Sequence, residues 1–359
     1  INANSATILN STSSTFSSLI VKGSINGTVN YNRYTALIGS EEGGTNDLIS
    51  APVVGQVFGA FATENPNLAA SNTLRAFAPY NTSAGAYQNY DTNINAATEL
   101  DSGIGYRAAT TDGSTLKFTG NVSTADVAVS ISDDNAGNAW NLIGNPYPSY
   151  IDFDSFFTNN KDQFNTDAEY QAVYGYNGAT SNGWTVWNSA TIADPAITEL
   201  IAPGQAFFVK AKPTGGTVTF TTNMQTTGSA DDFINGKQTN LEVALSKLRL
   251  SSGTDKASTA IYFIEGTTRG LDAGYDAATY SQSSSGFSIF SNLVSDNTGS
   301  AMAIQSLDYN DFNDVVVPLG INAKSAALTI GIDKLANTLP ANIGVYLEDR
   351  ETSTFTLLT

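Results

Sequence analysis

Apolar and polar residues alternate along much of the chain, which is the pattern of β strands with one buried and one wet face. Leu116 and Phe118, for example, alternate with Lys117 and Thr119. The same period of two recurs in residues 218–221, 328–333 and 343–348. Helical spacing is confined to three short segments, residues 153–157, 168–171 and 332–335. The pattern therefore predicts an all-β protein.

Turn signals between these runs support the same fold class. Asn-Gly and Asp-Gly pairs tolerate positive φ and favour tight hairpins. They occur at Asn26-Gly27, Asp112-Gly113, Asn177-Gly178, Asn182-Gly183 and Asn235-Gly236. We expect tandem β-sandwich-like domains.

Short segments recur in order along the chain, which indicates an internal duplication. Residues 47–52 resemble residues 141–146, and Glu99-Leu100 recurs as Glu199-Leu200. Residues 103–106 recur as 204–207, and 118–121 recur as 220–223. Chance similarity of short β segments is the alternative, but four matches in the same order favour one ancestral unit with loop insertions.

This repeat divides the chain. We predict an N-terminal array of short strands at residues 1–45, a first β repeat unit at 46–126 and a second at 127–228. A polar linker, residues 229–240, then leads to a C-terminal β-sandwich at 241–359. The last strands run to the final residue without a closing segment, so we expect the natural protein to continue.

Composition narrows the classes of partner. The 359 residues carry a net charge of −17, with Lys and Arg together contributing 16 residues and Asp and Glu 33. Nucleic-acid affinity depends largely on cationic side chains that neutralise phosphates, so a nucleic-acid partner is not expected. No apolar run reaches 18 residues, and no transmembrane helix is predicted.

The chain contains neither Cys nor His. Histidine-based triads, cysteine nucleophiles and His- or Cys-ligated zinc are therefore excluded. Carboxylate-only hydrolysis stays open, although no pair of carboxylates stands out in the sequence. Ile1 begins without a signal-like stretch, so we expect a mature form or a fragment.

Several motifs are similar to one family. Residues 140–148, WNLIGNPYP, resemble a signature of large secreted proteins of Bacteroidota, and residues 202–210, APGQAFFVK, resemble a segment that follows it there. Residues 317–321 and 345–350 resemble later segments of the same family. The resemblance implies adhesin-like surface proteins, exported by the type IX secretion machinery and carrying a C-terminal sorting domain that this sequence lacks. The signature itself is best interpreted as structural, because Pro146 and Pro148 end the strand that begins at Trp140.

One acidic segment is a candidate Ca²⁺ site. Asp308, Asp311 and Asp314 place hard oxygen ligands within seven residues. The segment departs from the EF-hand pattern, with Asn313 where that loop has Gly. A solvated acidic turn is the alternative, and no other cofactor is expected.

Aromatic residues offer a candidate ligand site. Tyr174, Tyr176, Trp184 and Trp187 flank a Gly-bearing loop in the second unit, and Phe77, Tyr80, Tyr87 and Tyr90 occupy similar places in the first. Flat rings on a strand pair can stack against sugar rings. The alternative is that these rings belong to the core, which their recurrence in both units favours.

These observations predict a structural or adhesive β segment of a secreted or cell-surface bacterial protein, and not an enzyme. A polysaccharide-binding accessory region of a secreted degradative enzyme is the alternative. A carboxylate-based hydrolase is a third hypothesis. Surface polysaccharide or other cell-surface components are the expected partners.

Overall fold

The computed structural model describes residues 7–39, 45–134, 138–165, 169–176, 184–193, 200–229, 243–280, 286–312, 315–324, 327–334 and 336–359. Three of the predicted Asn-Gly turns, at 177–178, 182–183 and 235–236, and most of the predicted linker lie outside these residues.

Strands dominate the described chain. In the N-terminal half they are β1 Thr7–Asn10, β2 Val29–Tyr34, β3 Asp47–Ser50, β4 Ala70–Ser71, β5 Leu74–Arg75, β6 Phe77–Asn81, β7 Ala86–Tyr87, β8 Gly105–Ala108, β9 Thr115–Gly120, β10 Val127–Ile131, β11 Trp140–Gly144, β12 Tyr150–Asp152, β13 Val173–Tyr176 and β14 Trp184–Trp187. They continue as β15 Leu200–Ile201, β16 Ala206–Lys210, β17 Gly216–Phe220, β18 Gln225–Thr226, β19 Val243–Ser252, β20 Asp255–Ile264, β21 Ala277–Ala278, β22 Ser288–Ser291, β23 Met302–Leu307, β24 Leu319–Asn322, β25 Thr329–Ile332, β26 Tyr346–Asp349 and β27 Thr354–Leu357.

Among the residues that the structure describes, helices are few and short: α1 Phe58–Glu64, α2 Phe153–Asn160 and α3 Ser189–Ala193, with 3₁₀ turns at Lys161–Gln163 and Thr222–Met224. The all-β fold class is therefore confirmed. No helix in the described ranges is long and apolar enough to cross a bilayer.

Only one of the three predicted helical segments lies in a helix among the described residues. The segment 153–157 lies in α2, but the described parts of the other two segments, 169–171 and 332–334, contain no helix. Conversely, α1 and α3 were not predicted, since each is only five to seven residues long. Helices this short give too few turns for a 3.6-residue period to stand out.

Two four-stranded sheets have the same strand order. The first is β3-β8-β6-β7 and the second is β11-β16-β13-β14. In both sheets the first strand in sequence pairs with the last, and the two middle strands form a hairpin-like pair. A short helix lies between the first and second strands of each sheet; in unit 2, β12 precedes that helix. We name the segments that carry these sheets unit 1 and unit 2.

Each unit also has a second antiparallel ladder: β2 pairs with β9 along six residues, and β10 pairs with β17 along five. In each case the strand before the sheet pairs with the strand after it. Because β2 ends at Tyr34, this pairing extends unit 1 to the N-terminal side of the boundary predicted at residue 45. β1 in turn pairs in parallel with β2.

A buried asparagine ties the helix of each unit to that unit's second ladder. Asn65 donates from Nδ2 to the carbonyls of Phe61 and Lys117, at 2.8 and 3.0 Å, and accepts from Lys117 N at 2.6 Å. Asn160 makes the same three bonds in unit 2, to Phe156 and Thr219, at 2.9, 3.0 and 2.8 Å. These bonds satisfy backbone groups that would otherwise be buried without partners.

The C-terminal part contains a seven-stranded sheet and a separate hairpin, β26-β27. The strand order of the larger sheet is β24-β22-β23-β20-β19-β25, with β21 also paired to β23. One face carries Leu245, Tyr262 and Ile304, which pack against units 1 and 2. The other face has its own core, which includes Leu250, Phe263 and Leu307 and is partly covered by later segments. A second full sheet facing it, as a sandwich requires, stays a prediction.

Candidate functional site

Ten aromatic side chains from both units and the C-terminal part form an aromatic cluster among the described residues. They are Tyr80, Tyr87, Trp140, Tyr170, Tyr174, Tyr176, Trp184, Phe208, Tyr262 and Tyr280. The four rings predicted as a sugar platform belong to β13 and β14, so the cluster is where that prediction is examined. Three of those four lie in the cluster, and Trp187 does not.

Trp184 is half-buried and lies against protein on one face. Its ring stacks on Tyr280 with centroids 4.1 Å apart and an interplanar angle of 24°. Its cross-strand partner is Tyr176, at 5.0 Å, and Phe208 is 5.9 Å away. The face of the indole that stacks on Tyr280 is covered by protein, so a two-sided platform is excluded here.

Tyr174 and Trp187 are core residues. Tyr174 is fully buried, donates its hydroxyl to Ala278 O at 3.0 Å and meets Trp140 edge-on at 4.9 Å. Trp187 is 4% exposed and packs edge-on against Phe153 at 5.0 Å, in the core of unit 2. Residues three apart on a strand point to opposite faces, so Trp184 and Trp187 of β14 cannot share one platform. The candidate surface therefore reduces to Tyr176 and Trp184.

Unit 1 supplies a matching cross-strand pair. Tyr80 and Tyr87 face each other on β6 and β7, with centroids 5.4 Å apart at 79°. Tyr80 also meets Phe208 of unit 2 edge-on at 4.9 Å. The pair Tyr80–Tyr87 and the pair Tyr176–Trp184 occupy the same places in their sheets, and Phe208 packs against members of both.

Two cations line the cluster. The guanidinium of Arg107 lies 4.1 Å from the centre of the Tyr87 ring, and Lys210 Nζ lies 3.8 Å from that of Tyr170. Such contacts are attractive because a ring face is electron-rich. Burial lowers the pKa of Lys210, an effect that Glu169 and Asp133 oppose.

The hydroxyls of Tyr87, Tyr174 and Tyr280 remain protonated at neutral pH. Burial raises the pKa of Tyr87, Tyr174 and Tyr280 above the ordinary value for a phenol. The arrangement is therefore suited to apolar stacking and cation–π contact, and none of these phenols is activated as a base.

The predicted acidic site is partly occupied by the protein's own groups. Asp308 accepts hydrogen bonds from the backbone N–H groups of Gly266 and Asn310, both at 2.9 Å, and these bonds lower its pKa. Asp311 pairs with Arg269, whose Nε donates to its Oδ2 at 2.6 Å. Asp314 lies outside the described residues.

Within the residues that the structure describes, no group of three Asp or Glu side chains is placed to hold a metal ion. Ca²⁺ binding at Asp308, Asp311 and Asp314 stays a prediction, since the third residue of the set is not described. A bound ion would have to compete with Arg269 for Asp311.

Sequence reasoning missed the residues that organise the cluster. Tyr280 comes from the C-terminal part, and Phe208 lies in the FFVK segment, whose apolar run predicts only burial. The sequence did contain a signal that Trp187 belongs to the core. Trp184 and Trp187 are three residues apart on one strand, so their side chains point to opposite faces of the sheet.

Comparisons with known proteins return one family and nothing else: no curated protein and no solved structure matches the chain. The match to the family model spans residues 14–359, which includes both units and the C-terminal sheet. The chain belongs to the family described as a domain of unknown function, DUF8693.

Proposed function

We propose that this chain is a rigid β-structured segment of a secreted or cell-surface bacterial protein, with a structural or adhesive role. It presents a surface to other cell-surface components and catalyses no reaction. Its export by the type IX secretion machinery is part of the proposal.

The observation that carries the proposal is the aromatic cluster. Trp140, Phe208 and Trp184 of unit 2 pack against Tyr280 of the C-terminal part, with centroid distances of 4.7, 5.3 and 4.1 Å. Aromatic pairs at these distances stabilise a contact beyond the area they bury. Three sheets are thereby packed around one cluster, and a stiff body of this kind suits a spacer or a surface that bears load.

Residues of the secretion-family signature support a structural role because they build the core. Trp140 is 2% exposed, and Asn145 is fully buried. The Asn145 amide donates to Ser149 O at 2.8 Å and to Ala202 O at 3.0 Å, and its Oδ1 accepts from Tyr147 N at 3.0 Å. The resemblance to Bacteroidota surface proteins thus rests on residues that this fold needs.

The net charge of −17 also fits an extracellular setting. Excess charge of one sign keeps a protein soluble and limits non-specific association. Asn, Thr and Ser side chains, abundant in the chain, supply uncharged hydrogen-bonding groups for contact with neutral surface components.

Attachment of cells tests the proposed role. In the bacterium that carries the gene, a strain lacking this segment is expected to attach to surfaces or to other cells less than the parent does. Reintroduction of the segment should restore attachment. Equal attachment of the two strains, with the rest of the protein still on the surface, would contradict an adhesive role.

A hydrolysis screen tests the absence of catalysis. We expect no release of reducing sugar when the purified chain is incubated with a panel of polysaccharides. Turnover that disappears when one Asp or Glu is changed to its amide would overturn this part of the proposal.

Polysaccharide binding is the second candidate, and the half-buried pair Tyr176–Trp184 favours it. β14 is the edge strand of its sheet, so the pair lies at a margin that a sugar chain can reach. On a glycan array, binding by the wild type that is lost in Tyr176→Ala, but kept in Ile94→Ala, would support this candidate. Ile94 is 82% exposed, so its replacement is a surface control. No binding by the wild type would reject it.

A further inference from the structure

Units 1 and 2 contact each other through reciprocal backbone bonds. Ser50 N donates to Gly204 O at 2.8 Å, and Gly144 N donates to Gly103 O at 2.9 Å. Ser50 is the last residue of β3 and Gly144 the last of β11, while Gly103 and Gly204 each lie two residues before the next strand, β8 and β16. The same two positions thus exchange bonds in both directions.

Two isolated bridges repeat this reciprocity. Ile49 of unit 1 bridges Gln205 of unit 2, and Ile143 of unit 2 bridges Ile104 of unit 1. Ile49 and Ile143 each precede the last residue of their strand, and Ile104 and Gln205 each precede the first residue of theirs. Under a two-fold relation, position i of unit 1 contacts position j of unit 2, and position j of unit 1 contacts position i of unit 2. Unrelated surfaces, or units repeated by translation, would show only one of these two contacts.

Residues at equivalent positions also face each other directly. Ser50 pairs with Gly105 at the end of the β3–β8 ladder, and Gly144 pairs with Ala206 at the end of the β11–β16 ladder. A Cβ atom on Gly144 would lie 2.6 Å from Ser50 Cβ, which is its nearest neighbour, and 2.8 Å from Gln205 O. A Cβ atom on Gly105 would lie 2.6 Å from Leu142 Cγ and 2.8 Å from Ala206 Cβ. Equivalent residues meet in this way only next to a two-fold axis.

From these contacts we infer that units 1 and 2 pack about a local two-fold axis, as the two subunits of a homodimer do. Two pairs of equivalent residues, Ser50–Gly144 and Gly105–Ala206, face each other across this axis. Each pair contains one glycine, and that glycine makes the contact specific for the other unit. The axis passes between Ser50 and Gly144 and between Gly105 and Ala206. Two copies of unit 1 in this geometry would bring Ser50 against Ser50, and two copies of unit 2 would bring Ala206 against Ala206. Both arrangements place Cβ atoms closer than real Cβ contacts allow. The partner that fits each unit is therefore the other unit.

Exchange of the two facing residues tests this inference in the full chain. Gly144→Ser alone overpacks the axis and is expected to lower the melting temperature by about 5 °C. The double variant Ser50→Gly/Gly144→Ser moves the side chain across the axis. It should return to within about 2 °C of the wild type, because a two-fold axis makes the two positions interchangeable. The Ser50 hydroxyl donates to Asn145 O at 2.7 Å. Under the two-fold axis, the hydroxyl introduced at position 144 would find the carbonyl of Ala51 in the equivalent place.

A second exchange and a control make the test decisive. Gly105→Ala is expected to destabilise, and Gly105→Ala/Ala206→Gly to recover only part of the loss, because Leu142 Cγ still lies 2.6 Å from the added Cβ. Gly59→Ala/Ala96→Gly is the control, since the atom nearest to an added Cβ at Gly59 is the backbone oxygen of Ala96, at 2.8 Å, and the exchange does not remove it. It should show no recovery relative to Gly59→Ala.

The outcomes separate clearly. Recovery at the Ser50–Gly144 pair and none at the control supports the local two-fold axis. A Ser50→Gly/Gly144→Ser variant that is no more stable than Gly144→Ser alone overturns it, as does a Gly144→Ser variant as stable as the wild type. If Gly144→Ser does not fold, the yield of soluble Ser50→Gly/Gly144→Ser decides: folded protein supports the axis, and none contradicts it.

Discussion

At the scale of single residues, Trp184 decides between core and ligand surface. Its contacts with Tyr280, Tyr176 and Phe208 make it part of the packing between unit 2 and the C-terminal sheet. A residue so placed contributes to stability whether or not the exposed part of its ring binds a sugar.

Replacement of Trp184 by Ala should therefore lower the free energy of unfolding by about 2–3 kcal/mol, below the cost for a fully buried Trp because part of the ring is exposed. Urea denaturation measures this loss, with Ile94→Ala as the exposed control, expected within about 0.5 kcal/mol of the wild type. A loss below about 0.5 kcal/mol for Trp184→Ala would show that the ring does not contribute to the packing between unit 2 and the C-terminal part.

Asp276 gives the chain a pH-dependent element of stability. The residue is 1% exposed, and its carboxylate accepts from Asp272 N at 2.7 Å and from Ser306 N at 2.6 Å. Burial raises its pKa to about 7, against the opposing effect of these two hydrogen bonds. Because the ordinary value is 3.8, the folded protein binds more protons at this group than the unfolded chain between about pH 4 and pH 7.

Stability from Asp276 therefore falls as the pH rises through this window. Compared with Asp276→Asn, which does not titrate, the wild type should lose about 2–4 kcal/mol of unfolding free energy between pH 4.5 and pH 8. Urea denaturation of both proteins at several pH values measures the difference between their unfolding free energies. The contributions of the other carboxylates are the same in both proteins and cancel in this difference. Parallel pH dependences of the two proteins would show that this carboxyl titrates normally.

At the scale of elements, the buried asparagines explain how short helices are held. α1 has only seven residues and α2 eight, too few to be stable in isolation. Asn65 and Asn160 fasten the C-terminal ends of these helices to β9 and β17. The two units use the same residue type at the same place for the same three hydrogen bonds. Asn65 and Asn160 were not among the segments on which the predicted duplication was based, so they support it independently.

Asn65→Ala and Asn160→Ala should each cost about 1–3 kcal/mol, because each leaves a partly buried strand N–H and carbonyl without a partner. Similar losses in the two variants are expected from equivalent positions. Thermal and urea denaturation measure them against Asn223→Ala, an exposed control. A cost in one unit only would argue that the two helices are not equivalent.

The sequence predicted strands well and their partners poorly. Period-two alternation locates β9 and β17, since each buries one face and exposes the other. β11 is buried along its whole length, so its WNLIG run carries no alternation, and its assignment as a strand rested on Pro146. Strand order could not be predicted, because β3 pairs with β8 more than 50 residues later, and nothing local in the sequence encodes that choice.

The candidate site was predicted only in part for a related reason. Tyr176 and Trp184 are half-buried neighbours, as a platform requires. Their covering residue, Tyr280, comes from a part of the chain that the sequence treated as a separate domain. Packing between distant segments decides which ring faces remain free, and single-sequence patterns do not carry that information.

At the scale of the whole molecule, the aromatic cluster makes the two units and the C-terminal sheet one packed body. We expect a single main unfolding transition for the full chain in calorimetry, since loss of one sheet exposes the rings of the others. Two well-separated transitions, one of them assigned to the C-terminal sheet, would contradict a shared core.

The central claim is that this body works outside the cell, and labelling of intact cells with an antibody against the chain tests it most directly. In the bacterium that carries the gene, we predict strong labelling of intact cells or recovery of the chain in the medium. Protease added outside the cells should remove the surface signal, and permeabilisation should not raise it. Labelling that appears only after permeabilisation, with none of the chain in the medium, would contradict the account.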